Sequence, residues 1–169
     1  MGLGKTIQAI GILLKRAHEG PALVVAPTSV CMNWMNEVAR FAPILKLHRF
    51  GLLDREKMLN EAGPFDLIIC SYGLLHSESK RLVEIKWNTI ILDEAQAIKN
   101  TESKRTKAAF ALQSNFKIAT TGTPIENHLG ELWSLFQFLN PGLLGSMDQF
   151  NQRFASPIEQ KNDSGSRQR

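Results

Sequence analysis

The chain is poor in cysteine. Only Cys31 and Cys70 occur in 169 residues, far apart and both in apolar surroundings. That excludes a disulfide-stapled fold and predicts two reduced core thiols. The four histidines, His18, His48, His76 and His128, have no metal-ligand spacing. No apolar run reaches the roughly 18 residues that a membrane span needs. The first residues carry no signal-peptide pattern, and there is no internal repeat. These absences predict a soluble intracellular protein with no membrane partner. Neither charge sign dominates: 20 basic against 16 acidic residues leave +4. That excess permits a polyanionic partner without requiring one. With 43% hydrophobic residues, a chain of this length can bury one substantial core.

What is present begins at once. Met1-Gly2-Leu3-Gly4-Lys5-Thr6 reads as the second half of a phosphate-binding loop, a glycine-rich turn running into a helix. Gly2 and Gly4 let the backbone curl and approach an anion closely. The N–H groups of Leu3 to Thr6 would point at phosphate oxygens, helped by the positive end of the following helix. Lys5 would supply a cation for the β- and γ-phosphates, and the Thr6 hydroxyl a ligand for Mg²⁺. Ile7, Ile10, Leu13, Leu14 and Ala17 give that helix an apolar face. The strand that precedes such a loop is missing from the chain, so a fragment of a longer reading frame is expected.

Further on, short apolar runs alternate with amphipathic ones. Strands are predicted at 22–26, 45–50, 66–71, 89–92 and 116–120, and helices at 53–62, 78–85 and 102–112. Another helix follows Ser29, which can cap it, with Trp34, Val38 and Phe41 inward. Near-continuous apolar strands separated by helices imply an α/β fold, a parallel sheet with helices on both faces. In such sheets ligands gather at the carboxyl ends of strands. The segments predicted there are polar: Pro27-Thr28-Ser29, Ser71-Tyr72-Gly73, Asp93-Glu94-Ala95-Gln96 and Thr121-Gly122-Thr123-Pro124. Thr123-Pro124-Ile125-Glu126 fits a capping box with Pro at the first helical position. After residue 125 the pattern is helical, and the helical spacing of Trp133, Phe136 and Phe138 favours core packing over base stacking. Lys99, Lys104, Arg105 and Lys107 form a basic cluster interrupted by Glu102, read either as a solvated helix face or as a phosphate-tracking surface. From Ser156 the composition turns polar.

Asp93-Glu94 ends a four-residue apolar strand. Two adjacent carboxylates there can divide two tasks: Asp93 holds the water shell of Mg²⁺ opposite Thr6, and Glu94 deprotonates an attacking water. A plain helix-capping role is the structural alternative.

Together these stretches resemble the first RecA-like lobe of superfamily 2 helicases, specifically the Swi/Snf family of DNA-translocating ATPases. Residues 1–8 are similar to motif I, 23–34 to motif Ia, 91–100 (ILDEAQAIKN) to motif II in its bacterial-type form, and 121–144 to motif III and the helix after it. Ser71-Tyr72-Gly73 sits where motif Ib falls. The resemblance implies a RecA-like P-loop NTPase lobe over 1–155, with its first strand missing. It also implies a polar tail, 156–169, leading toward a second RecA-like lobe. It assigns ATP and Mg²⁺ as cofactors, held by Gly2, Leu3, Gly4, Lys5 and Thr6. Asp93 and Thr6 become metal ligands and Glu94 the catalytic base. Gln96, Thr121, Gly122 and Thr123 become the segment coupling nucleotide to DNA. Pro27, Thr28, Ser29, Ser71 and Tyr72 are set against the backbone of double-stranded DNA, where hydroxyls and amides suit sequence-independent contact. A bacterial, nucleoid-associated location in the cytoplasm follows from the same resemblance.

The family's arginine fingers belong to the second lobe, so slow hydrolysis by this chain alone is expected. An RNA-directed helicase is disfavoured by the form of motif III. A truncated, non-catalytic nucleotide- or DNA-binding module is the alternative from another class.

Overall fold

Strand register decides where every polar segment ends up. A computed structural model describes residues 4–51, 55–122 and 129–155. Its five strands are β1 (Ala22–Ala26), β2 (Lys46–Arg49), β3 (Asp66–Ser71), β4 (Trp87–Leu92) and β5 (Ser114–Ala119). They form one sheet in the order β2-β3-β1-β4-β5, every pair parallel. Cα partners Ala26↔Ser71, Val25↔Leu92 and Leu92↔Ala119 keep the carboxyl ends level. The chain therefore leaves β3, β1, β4 and β5 along one edge of the sheet.

β1 lies at the centre, and all five of its residues are buried. Its side chains alternate between two cores. Leu23 and Val25 join Ile68, Cys70, Ile90 and Leu92 on one face, covered by α4 (Tyr72–Ser77), α5 (Ser79–Glu84), α6 (Lys104–Ala111) and α7 (Leu129–Leu139). Val24 and Ala26 join Leu67, Ile69 and Ile91 on the other, under α1 (Lys5–Arg16) and α2 (Thr28–Phe41). Each fully buried large apolar side chain contributes roughly 1.5–3 kcal/mol, so the two-faced strand anchors both layers. Cys31 and Cys70 are free, buried and in opposite cores. Short α3 (Arg55–Asn60) adds Leu59 to the first core, and α8 (Met147–Phe150) runs into a π-helical turn, Asn151–Ala155.

The direction of α1 is set at its last turn. Arg16 donates to Thr89 Oγ1 (3.1 Å) and Asn88 Oδ1 (3.2 Å), near the amino end of β4, and lies 4.8 Å from the Phe116 ring centroid. The first turn, with Lys5 and Thr6, is thereby directed to the carboxyl edge. No described helix is long and apolar enough to cross a membrane.

Several expectations change. The helix after β1 starts at Thr28 with Pro27 as its N-cap and no side-chain cap, so Ser29 lies inside the first turn and does not cap it. Proline is suited to the cap because its missing N–H would have no helical partner. Ser71-Tyr72-Gly73 is not a loop. Ser71 Oγ accepts from Leu74 N (3.2 Å) and starts α4 directly at the strand end. Strands β4 and β5 begin two residues earlier than predicted, because Trp87 and Ser114 pair across the sheet. Met1, Gly2, Leu3, the 123–126 capping box, His128 and the 156–169 tail lie outside the described residues.

Candidate functional site

Sheet order arranges the polar segments along the carboxyl edge. Ser71 ends β3 and Tyr72 follows it, Pro27 and Thr28 follow β1, Asp93 and Glu94 follow β4, and Thr120 to Gly122 follow β5.

Asp93 is 8% exposed and firmly held. Oδ2 accepts from the Trp34 indole (2.8 Å). Oδ1 accepts from the Thr120 hydroxyl (2.6 Å) and from the Glu94 amide (3.0 Å). Its own amide donates to Val25 carbonyl (2.8 Å), and its carbonyl accepts from the Tyr72 hydroxyl (2.9 Å). Of about four lone-pair sites on a carboxylate, the described residues leave one on Oδ2.

Glu94 has φ 50 and ψ 54, a left-handed conformation that costs a non-glycine residue roughly 1–2 kcal/mol. It makes no side-chain cap to the 3₁₀ turn that follows, Ala95–Ile98, so the capping alternative does not hold for it. Its Oε2 instead accepts from Gln96 Nε2 (2.7 Å), and Gln96 Oε1 accepts from the Thr121 hydroxyl (2.7 Å). Ala95 N donates to Thr120 carbonyl (2.9 Å) and Thr120 N to Leu92 carbonyl (2.8 Å), which locks the loop after β5 to the end of β4.

Lys5 reaches the same loop. A Cβ placed on Gly122 would lie 3.8 Å from Lys5 Nζ. Gly4, the N-cap of α1, has φ 69 and ψ 18 with open space where a side chain would project. Thr6 follows in the first helical turn. The loop after β5 thus links Asp93, Glu94, Gln96, Thr121 and Gly122 and comes close to Lys5, while Gly4 and Thr6 flank Lys5 at the start of α1. Gly2, Leu3 and Thr123 lie outside the described residues.

The residues expected against DNA divide. Thr28 and Ser29 are exposed and Pro27 half-buried at the start of α2. Thr28 and Ser71 line one cavity of about 160 Å³, together with Gly51, Arg49 and Arg55. Tyr72 is 4% exposed, and its hydroxyl donates to the Asp93 carbonyl. Burial, reinforced by the Asp93 carboxylate, pushes its phenol well above the ordinary value, so the group stays a donor.

Three further residues escape a reading of the sequence. Helical spacing marks Trp34 as core alone, yet a buried indole N–H requires an acceptor. Thr120 ends a predicted strand and carries no motif signal. Arg49 ends β2 beside the Thr28 cavity. Among the described residues no group of three or more His, Cys, Asp or Glu could hold a metal.

Known proteins are similar to this chain in sequence and fold. The family described as SNF2-related domain matches residues 1–168. A putative ATP-dependent helicase/translocase, YwqA, of Bacillus subtilis is 44% identical over 96% of this chain and 18% of its own length. The chromatin-remodeling ATPase INO80 of Arabidopsis thaliana is 41% identical over 98% of this chain and 12% of its own. The SWI2/SNF2 ATPase core of Sulfolobus solfataricus in complex with dsDNA superposes with a TM-score of 0.84 at 44% identity, covering 95% of this chain and 34% of that one. The chain spans about a fifth or less of the length of these two curated relatives. The RecA-like expectation for the fold is met, and the chain belongs to the SNF2-related domain family.

Proposed function

We propose that this chain is the ATP-binding lobe of a DNA-dependent ATPase that hydrolyses ATP to move along double-stranded DNA. One observation carries the reading: the loop after β5 bonds Asp93 through Thr120 and Gln96 through Thr121, and its Gly122 lies beside Lys5. Residues 1–155 would belong to the lobe, and a second RecA-like lobe would supply an arginine, a group worth about 10³–10⁵ in rate. A nucleoid-associated place in the cytoplasm goes with this reading.

The residues present fit a magnesium nucleotide. The N–H groups at the start of α1 and the Lys5 ammonium would receive the phosphates. Thr6 would hold the cation directly. The one lone pair left on Asp93 suits a metal-bound water better than direct bidentate ligation. Bound there, Mg²⁺ would neutralise charge developing on the transferred phosphoryl group. Glu94 would take the proton of the attacking water, with the Gln96 amide aiming its carboxylate. Gln96 would pass a change at Glu94 to Thr121 by the same pair of bonds. Thr28, Ser29, Ser71 and Arg49 would receive the DNA backbone at the other half of the edge, where Ser71 Oγ still has its proton to donate.

The test is ATP turnover and nucleotide affinity in two variants. Glu94→Gln lowers turnover by about 10²-fold or more with binding retained, and Lys5→Ala weakens nucleotide binding. Turnover unchanged in both would overturn the assignment.

A further inference from the structure

We propose that the groove between α4 and α6 is a second seat for the phosphate backbone of a nucleic acid, one that uses Lys104 and Arg105 and extends the track beyond the Thr28 cavity. It rests on the reading of the chain as a DNA-dependent ATPase lobe. The groove encloses about 570 Å³, and Gly73, His76, Asn100, Ser103, Lys104 and Arg105 line it. Lys99 also lines it and is shared with Glu131 at 3.5 Å. No Asp or Glu is among its described lining residues.

The side chains are disposed as an anion requires. Lys104 and Arg105 are exposed, and neither has a carboxylate partner among the described residues. The Arg105 guanidinium lies 5.6 Å from the Tyr72 ring centroid. A cation held on an aromatic face keeps its N–H donors for another ligand. Asn100 is exposed, and its Oδ1 accepts from the Glu102 amide (3.0 Å), so the oxygen rather than the Nδ2 donors is used there. Glu102, the carboxylate nearest in sequence, is tied to Lys107 at 2.8 Å. The donors line one broad groove of about 570 Å³, which fits a polymer of phosphates. No side chain there offers a base-reading geometry, so contact is sequence-independent.

Position supports the same occupant. Ser71 and Leu74 line the Thr28 cavity, and Tyr72 and Gly73 line this groove. The two depressions flank the first turn of α4, so one strand could pass from one to the other. The groove also touches the chemistry. Gln96 lines it and bonds Glu94, and Tyr72 beneath Arg105 bonds the Asp93 carbonyl.

The experiment is fluorescence anisotropy of mixed-sequence duplex DNA with the protein, repeated across salt concentrations. Removing one phosphate-binding cation makes the plot of log affinity against log salt shallower by about 0.9. The double variant Lys104→Ala/Arg105→Ala is expected to lower the slope by about two and to weaken unrelated sequences alike. Lys15→Ala, an exposed cation in the last turn of α1 and not among the groove's lining residues, leaves the slope as it was. Lys104→Glu, exposed and harmless to packing, weakens binding further. A slope unchanged in both groove variants, with Arg49→Ala still reducing it, overturns the second seat and leaves the ATPase reading standing. An unaltered protein with no salt-dependent DNA binding would bring down both.

Discussion

Trp34 and Glu94 show how single residues serve the site. The helical spacing of Trp34, Val38 and Phe41 marks an inward face, but spacing cannot name the acceptor of an indole proton. That acceptor is Asp93, brought in from the next strand of the sheet. Trp34→Phe keeps most of the packing and leaves a buried carboxylate oxygen without its donor. We expect a loss of about 1–3 kcal/mol in urea denaturation and lower ATP turnover, because Asp93 is freed to rotate. Glu94 is the reverse case, a functional group held in a backbone conformation its side chain disfavours. Comparing Glu94→Gly with Glu94→Ala isolates that strain, since neither keeps the carboxylate. The glycine variant should be the more stable by about 1 kcal/mol in the same denaturation experiment.

At the level of elements, the start of α4 carries most of what could not be read ahead. Ser71-Tyr72-Gly73 looks like a turn because serine and glycine flank it. The Ser71 cap and the buried ring of Tyr72 make it a helix start instead. Glu78, between α4 and α5, accepts from Arg81 (2.7 Å) and from Arg55 of α3, tying three short helices together. The bond from Arg81, with the two guanidinium charges, holds its carboxyl below the usual carboxylate value despite some desolvation. A depressed folded-state pKa gives stability that is complete above the unfolded value, about 4.3, and is lost as pH falls through the folded one. Thermal melts should therefore place Glu78→Gln below the parent near pH 7. That difference should shrink below about pH 4. The Tyr72–Asp93 bond, with its phenol pushed upward, should not respond over that range.

For the whole molecule, the two outer strands differ in how they meet solvent. β2 carries Lys46 and Arg49, charges that discourage further pairing. β5 has Lys117 alone, half-buried over the Phe138 ring, and Phe116 is 39% exposed. No described strand pairs with its outer side. Such an edge invites association between copies. Light scattering of the concentrated protein should rise with concentration, and Phe116→Lys should reduce that rise several-fold. Unchanged scattering in the variant would show that β5 is not the contact.

The sequence by itself determined the parallel α/β architecture, the glycine turn that starts α1 at Gly4, Lys5 and Thr6, and the acidic pair at the end of β4. Those features are local: apolar runs, glycine spacing and a strand-end polarity change are each complete within a few neighbouring residues. Only the tertiary structure decided that Trp34 and Thr120 hold Asp93, that Tyr72 faces inward, and that α4 and α6 enclose a basic groove. Each of these joins residues from different strands or helices. Their partners are set by strand order and register, which bring together groups that no sequence window contains.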